Sequence, residues 1–245
     1  MTDHFVDKEL RKASETVPRT EPELLKQIAG SMQSSLRPVR PPPPTWMLAA
    51  GLTLICAAVA TAAAARIGFY GVEKLAVWER ALIFSTLGIL AWTWGVEFVS
   101  RLIPGSRQPL SAGTLLSIST TVLLGVFALV FRDYRTEHFI SAGLACLLSG
   151  LLLAIPAALL SCWLLRRGFA INTVAAGFAG GALAGLCGAT MLELHCANFQ
   201  ALHVLVWHTG VVPVSAVLGA LVGRALRRLE LRRQLLRDAA KASQK

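Results

Sequence analysis

Charge is scarce in this sequence: 16% of its 245 residues are Asp, Glu, Lys or Arg, against roughly a quarter in an ordinary soluble domain. Long stretches hold neither acid nor base, which excludes a soluble globular domain and points to a bilayer. The first 45 residues contain no apolar run long enough for a signal-peptide core, so nothing there marks the chain for cleavage. The five cysteines, Cys56, Cys146, Cys162, Cys187 and Cys196, include no C-x-x-C pair, which argues against a thioredoxin-like site or a zinc ribbon. H-E-x-x-H, G-x-S-x-G and Walker-type loops are also missing. No long-period repeat occurs, and no inverted pair of broken helices of the kind found in many secondary transporters. The expectation is a binding or signalling protein without a cofactor, not an enzyme.

Apolar residues make up 54% of the chain, and disorder, collagen and a disulfide-stapled scaffold are excluded with them. Six apolar segments approach the roughly 20 residues that cross a hydrocarbon core, at about 46–65, 78–100, 110–131, 140–165, 169–192 and 202–223. The expected fold is an all-α polytopic membrane protein: a cytoplasmic leader at 1–45, a six-helix transmembrane bundle at 46–223 and a basic tail at 224–245. Nineteen of the 24 Lys and Arg fall in the leader, the 101–109 loop, Arg166 and Arg167, and the tail. The other side keeps Arg66, Lys74, Arg80, Arg132 and Arg135. By the positive-inside rule both termini are cytoplasmic. The same distribution explains the +10 net charge better than nucleic-acid binding does. The six arginines between Arg224 and Arg237 continue the last helix and suit anionic lipid.

Within the leader, Thr20, Pro22 and Glu23 form a helix-start signature with Thr20 as N-cap. A helix over about 21–36 follows, ended by Pro38 and the spacer Pro41, Pro42, Pro43, Pro44. Leu25, Ile28, Met32 and Leu36 recur at three- and four-residue steps and leave one apolar stripe. So short a helix is marginal alone in water; the stripe needs a partner, or packs on the membrane domain or on lipid.

Among the spans, Gly177, Gly181 and Gly185 repeat every four residues in the fifth, beside Gly180, Ala184 and Gly188, which makes that span the expected centre of the bundle. Gly219 and Gly223 give the sixth a smaller close-contact face, and such glycine faces also offer a route to an oligomer. Pro156 and Pro213 are expected to bend their helices. Glu97 with Arg101 four residues later reads as an ion pair.

Ligand-type side chains are densest around Cys196: Glu193, His195, His203 and His208, with Trp207 beside the last. In an α-helix His203 and Trp207 share a face, while His208 is turned about 140° from His203. Thiol and imidazole suit zinc or another borderline metal, although the spacing fits no standard finger. Three readings stand: a hydrogen-bonded loop cap anchored by Trp207, a metal site, or redox chemistry of Cys196 with Cys146. A disulfide needs Cα atoms within about 7 Å. Cys146 lies two turns inside its span, so the pair meets only if residues 195–199 fold back toward the membrane. Cys56, Cys162 and Cys187 read as small buried residues.

The inner turn Leu164-Leu165-Arg166-Arg167-Gly168, the glycine-rich fifth span, and Leu194-His195-Cys196 followed by His203-x-x-x-Trp207-His208 resemble the NrsF family, membrane-bound negative regulators of the sigma-F type of extracytoplasmic-function sigma factor. The resemblance implies a bacterial inner-membrane anti-sigma factor whose leader sequesters the sigma factor until a stress reaches the membrane. The family's two characteristic cysteines fall on Cys146 and Cys196. Leu24, Leu25, Ile28 and Met32 are the expected sigma-binding face, Cys146 and Cys196 the expected redox or metal sensor, and His195, His203 and His208 accessory groups. A small transporter and a membrane thiol oxidoreductase are the alternatives; the first needs a polar path and the second a further electron acceptor.

Overall fold

The computed structural model describes residues 22–35, 43–106, 110–168 and 170–242. They divide into two compact units, Met1–Pro42 and Pro43–Lys245. The described part of the first is one helix, α1 (Pro22–Ser35), with Glu23 in its first turn and Ile28 exposed. Helix α1 lies within the 21–36 expected from the pattern. Thr20, Pro38, Pro41 and Pro42 lie outside the described residues, as do the side chains of Leu24, Leu25 and Met32.

Among its described residues the second unit holds six helices long and apolar enough to cross a membrane. These are α2 (Thr45–Ile67), α3 (Val77–Leu102), α4 (Ala112–Val130), α5 (Phe139–Arg167), α6 (Thr173–His195) and α7. Helix α7 starts as Ala201–His203, passes through a π-helical turn at Val204–His208 and continues as Thr209–Ala242. Helix boundaries follow local chemistry. Pro44 enters α2 with polyproline dihedrals (φ −57°, ψ 143°). Ser111 Oγ accepts the Thr114 N–H at 3.1 Å, and Asn172 Oδ1 accepts the Ala175 N–H at 3.0 Å, each satisfying an otherwise unpaired first-turn donor. The expected all-α polytopic bundle is therefore what the chain forms, and among the described residues no strand appears beyond an isolated bridge between Asp133 and Gln200.

Helix α6 is the axis. Of its apolar window 78% is buried inside the protein, against 22% for α4 and for α5. Small residues permit this, because they let backbones meet where side chains would hold them apart. A Cβ on Gly181 would collide with the Ser215 carbonyl oxygen of α7, one on Gly177 with that of Gly219, and one on Gly188 with that of Gly150 in α5. Gly219 and Gly223 meet Gly177 and Thr173 in return. These glycine faces close on one another within a single copy, which removes them as the surface for an oligomer.

Large side chains fill the space further out. Trp94 of α3, fully buried, donates from Nε1 to Ser119 Oγ of α4 at 3.0 Å. At one end of α3, Arg101 Nε donates to Glu97 Oε1 at 2.7 Å, and both side chains are buried, so the expected ion pair forms. At the opposite end α2, α4 and α6 finish, and their loops to α3, α5 and α7 lie together.

Candidate functional site

The turn after α6 is made by backbone contacts. The Cys196 N–H donates to Leu192 O at 2.7 Å, and Gly71 of the α2–α3 loop donates to Leu194 O at 3.2 Å. Gly71 sits so close that a Cβ would lie 2.7 Å from the carbonyl oxygens of Glu193 and Cys196. Residues 197–200 then run beside the α4–α5 loop. Ala201 N–H donates to Asp133 O at 2.6 Å, and Phe199 stacks on Phe131 with centroids 5.7 Å apart. Asp133 and Arg135 form an exposed ion pair in this loop, and hydrogen bonds from Arg135 hold the Asp133 carboxyl below its ordinary pKa. The segment thus folds back onto the bundle, the geometric condition for the cysteines to meet. Cys196 Sγ lies 3.6 Å from Cys146 Sγ of α5.

Two imidazoles complete the group. Cys196 Sγ is 3.7 Å from His203 Nε2, and the rings of His203 and His208 meet edge to face with centroids 5.3 Å apart. This corrects the expectation that His208 is turned away. The π-helical turn at Val204–His208 hydrogen-bonds five residues apart, so side chains at i and i+5 come onto one face. Pro213 follows and has no N–H for the Thr209 carbonyl four residues before it, so the adjoining turn is not locked into α geometry. His208 Nδ1–H donates to Glu193 Oε1 of α6 at 2.6 Å, and both side chains are buried. His208 Nε2 and His203 Nδ1 are buried without a hydrogen-bond partner. The partnership of Glu193 with His208 escaped sequence reasoning; an acid within three residues of the end of an apolar span is the signal that points to it.

Other predicted groups lie elsewhere. His195 donates from Nδ1 to Gly68 O at 3.0 Å and packs on Tyr70, tying the end of α6 to the α2–α3 loop. It takes the loop-cap part. Trp207 lies over Gly143 and against Phe139 of α5, with centroids 5.5 Å apart, so it joins two helices. Cys187 Sγ reaches Cys56 O at 3.3 Å in the buried core. Cys162 lines an apolar cavity of about 260 Å³ between α5, α6 and α7, which contains no ionisable group apart from that thiol.

Six spanning helices closed on a glycine axis, with two thiols and two imidazoles gathered at one end, define a polytopic helical membrane protein with a thiol–imidazole centre in its bundle. The sequence profile of NrsF, the negative regulator of sigma F, matches residues 33–229, and the chain belongs to that family. No curated protein and no solved structure matches it. Membership makes the protein a negative regulator of a sigma factor, a role that requires no catalysis. The match begins at residue 33 and leaves most of α1 outside it.

Proposed function

We propose that this protein is an inner-membrane anti-sigma factor whose leader binds an extracytoplasmic-function sigma factor and whose Cys146 and Cys196 receive the stress that releases it. The observation that carries this reading is the 3.6 Å approach of the two sulfurs at the loop end of the bundle. Nineteen of the 24 Lys and Arg fall in the leader, the 101–109 segment, at Arg166 and Arg167, and in the tail, which under the positive-inside rule turns the thiols outward and the leader to the cytoplasm.

Two chemical events fit the pair. Oxidation gives two electrons and two protons from the thiols to an oxidant of the peroxide class, which leaves as water, and draws the sulfurs to about 2.05 Å. Capture of a soft metal instead exchanges thiol protons for the cation. Oxidation pulls Cys146 toward Cys196, whereas a bound metal keeps the two sulfurs near their present spacing and draws the neighbouring imidazoles inward. Helices α5 and α6 touch backbone to backbone at Gly150 and Gly188, so they have little slack to absorb the pull. The packing of these spans changes, and with it the presentation of the leader.

On the cytoplasmic side, Leu24, Leu25, Ile28 and Met32 bury one face of α1 in a groove of the sigma factor. Full-length protein in membranes tests this half. It is expected to co-purify with a sigma factor of the same genome, and a Leu25→Asp, Ile28→Asp double variant to lose it. Equal recovery with the double variant would contradict the leader assignment.

A further inference from the structure

The geometry points to a four-ligand site for a thiophilic closed-shell cation of the zinc type, made by Cys146 Sγ, Cys196 Sγ, His203 and His208 Nε2, with Glu193 as positioning residue. This deepens the reading of Cys146 and Cys196 as the sensing pair and rests on it.

Distances come first. The ligand atoms of these four residues all lie within 4.8 Å of one another. A tetrahedral zinc ion with the usual bond lengths needs sulfur to sulfur about 3.8 Å and sulfur to nitrogen about 3.6 Å. The two cysteine sulfurs are 3.6 Å apart, and Cys196 Sγ is 3.7 Å from His203 Nε2. Two edges of the tetrahedron thus already have the required length to within about 0.2 Å, and the remaining ones close by at most about 1.5 Å.

The second observation is the state of His208. Its Nδ1 is engaged by Glu193, and its Nε2 is fully buried with no partner. Burying such a nitrogen is unfavourable unless something binds it. A carboxylate on one imidazole nitrogen, with the other facing a sulfur pair, is how metal-binding histidines are held in tautomer and orientation. The π turn supplies the remaining element, since an unbroken α-helix would point His203 and His208 in different directions.

Charge and geometry select the ion. Two thiolates, two neutral imidazoles and a divalent cation sum to zero, leaving the Glu193 carboxylate as the local charge; a cuprous ion leaves one negative charge more in a poorly solvated place. Four ligands at tetrahedral edges also suit zinc. A cuprous ion is satisfied by the two sulfurs alone. On binding, each sulfur gives its proton to water as its bond to the cation forms, and nothing is oxidised or reduced. Oxidation of the same pair removes both sulfur ligands, so the bound ion and the disulfide exclude each other.

The test uses the full-length, reduced protein in detergent micelles, titrated with Co²⁺ as spectroscopic probe, then with Zn²⁺ and separately with Cu⁺. One equivalent of Co²⁺ is expected to give the intense visible absorption of a tetrahedral thiolate site, displaced by one equivalent of Zn²⁺. His203→Ala and His208→Ala are each expected to weaken Zn²⁺ binding at least tenfold, and Glu193→Gln by 10- to 100-fold, with helical content unchanged. Failure of the wild-type protein to bind Co²⁺ or Zn²⁺ overturns the site. Tight Cu⁺ binding that both histidine variants retain, with weak Zn²⁺ binding, also overturns it in favour of a two-thiolate centre. The sensing reading is judged separately by sigma-factor release in cells. A Cys146→Ser, Cys196→Ser variant that still responds removes that reading even where the metal binds, whereas an apo protein whose response needs both cysteines keeps it and loses the site.

Discussion

Glu97 and Arg101 are a buried charge pair at one end of α3, and removing one partner leaves the other charge without compensation. Glu97→Ala is expected to lower stability by about 3–5 kcal/mol, read as thermal unfolding in micelles, with Glu97→Gln losing less because its amide still accepts from Arg101. At the other end, Glu193→Gln keeps the shape beside His208 and removes the charge, so its effect belongs to the centre and not to packing. The pair in α3 was legible because its spacing of four is a property of any helix. The fold-back of Cys196 was legible only as a condition, since it depends on Gly71, Phe131 and Asp133, three residues more than 60 positions away in the chain. The spacing makes His203 and His208 diverge, because 100° per residue presumes an α-helix, whereas residues 204–208 form a π turn.

Helix α6 shows what glycine spacing does at the scale of an element. Gly177, Gly181 and Gly185 were visible as a repeat of four, and the structure places them against α7, at Gly219, Ser215 and Val212 respectively. Gly181→Val puts its branches into the Ser215 carbonyl; separating the two backbones is expected to cost at least about 1–3 kcal/mol, seen as lost thermal stability and faster proteolysis. A valine at Gly88, where a Cβ meets nothing within 4 Å, is the matched control and is expected to be neutral. The order of the spans and the central place of α6 were readable because apolar length and small-residue spacing are local properties. Which helix faces which glycine was not, since any span with a small face satisfies the same pattern. Helix α1 is a different case: its existence followed from Pro22, Glu23 and the apolar stripe, whereas the surface that covers its stripe is not written in the spacing.

Taken as a whole, the molecule has a thiol and imidazole centre at one end of the spanning bundle and Glu97 with Arg101 toward the other. If the positive-inside orientation holds, a membrane-impermeant maleimide added to intact cells reaches Cys196, whereas a cysteine introduced at Ser243 in the cysteine-free background reacts only after the membrane is opened. The reverse pattern would invert the topology and separate the thiols from any outside stimulus.

The most direct measurement of the central claim is sigma-factor release from the full-length protein in membranes before and after a peroxide-class oxidant, and again with zinc, for the wild-type chain and for Cys146→Ser, Cys196→Ser. The account predicts release from the wild type on at least one of these treatments and retention by the double variant on both, with equal sigma factor bound beforehand. Release from the double variant at the wild-type level would contradict it, and would return the two cysteines to the packing of α5 against the turn after α6.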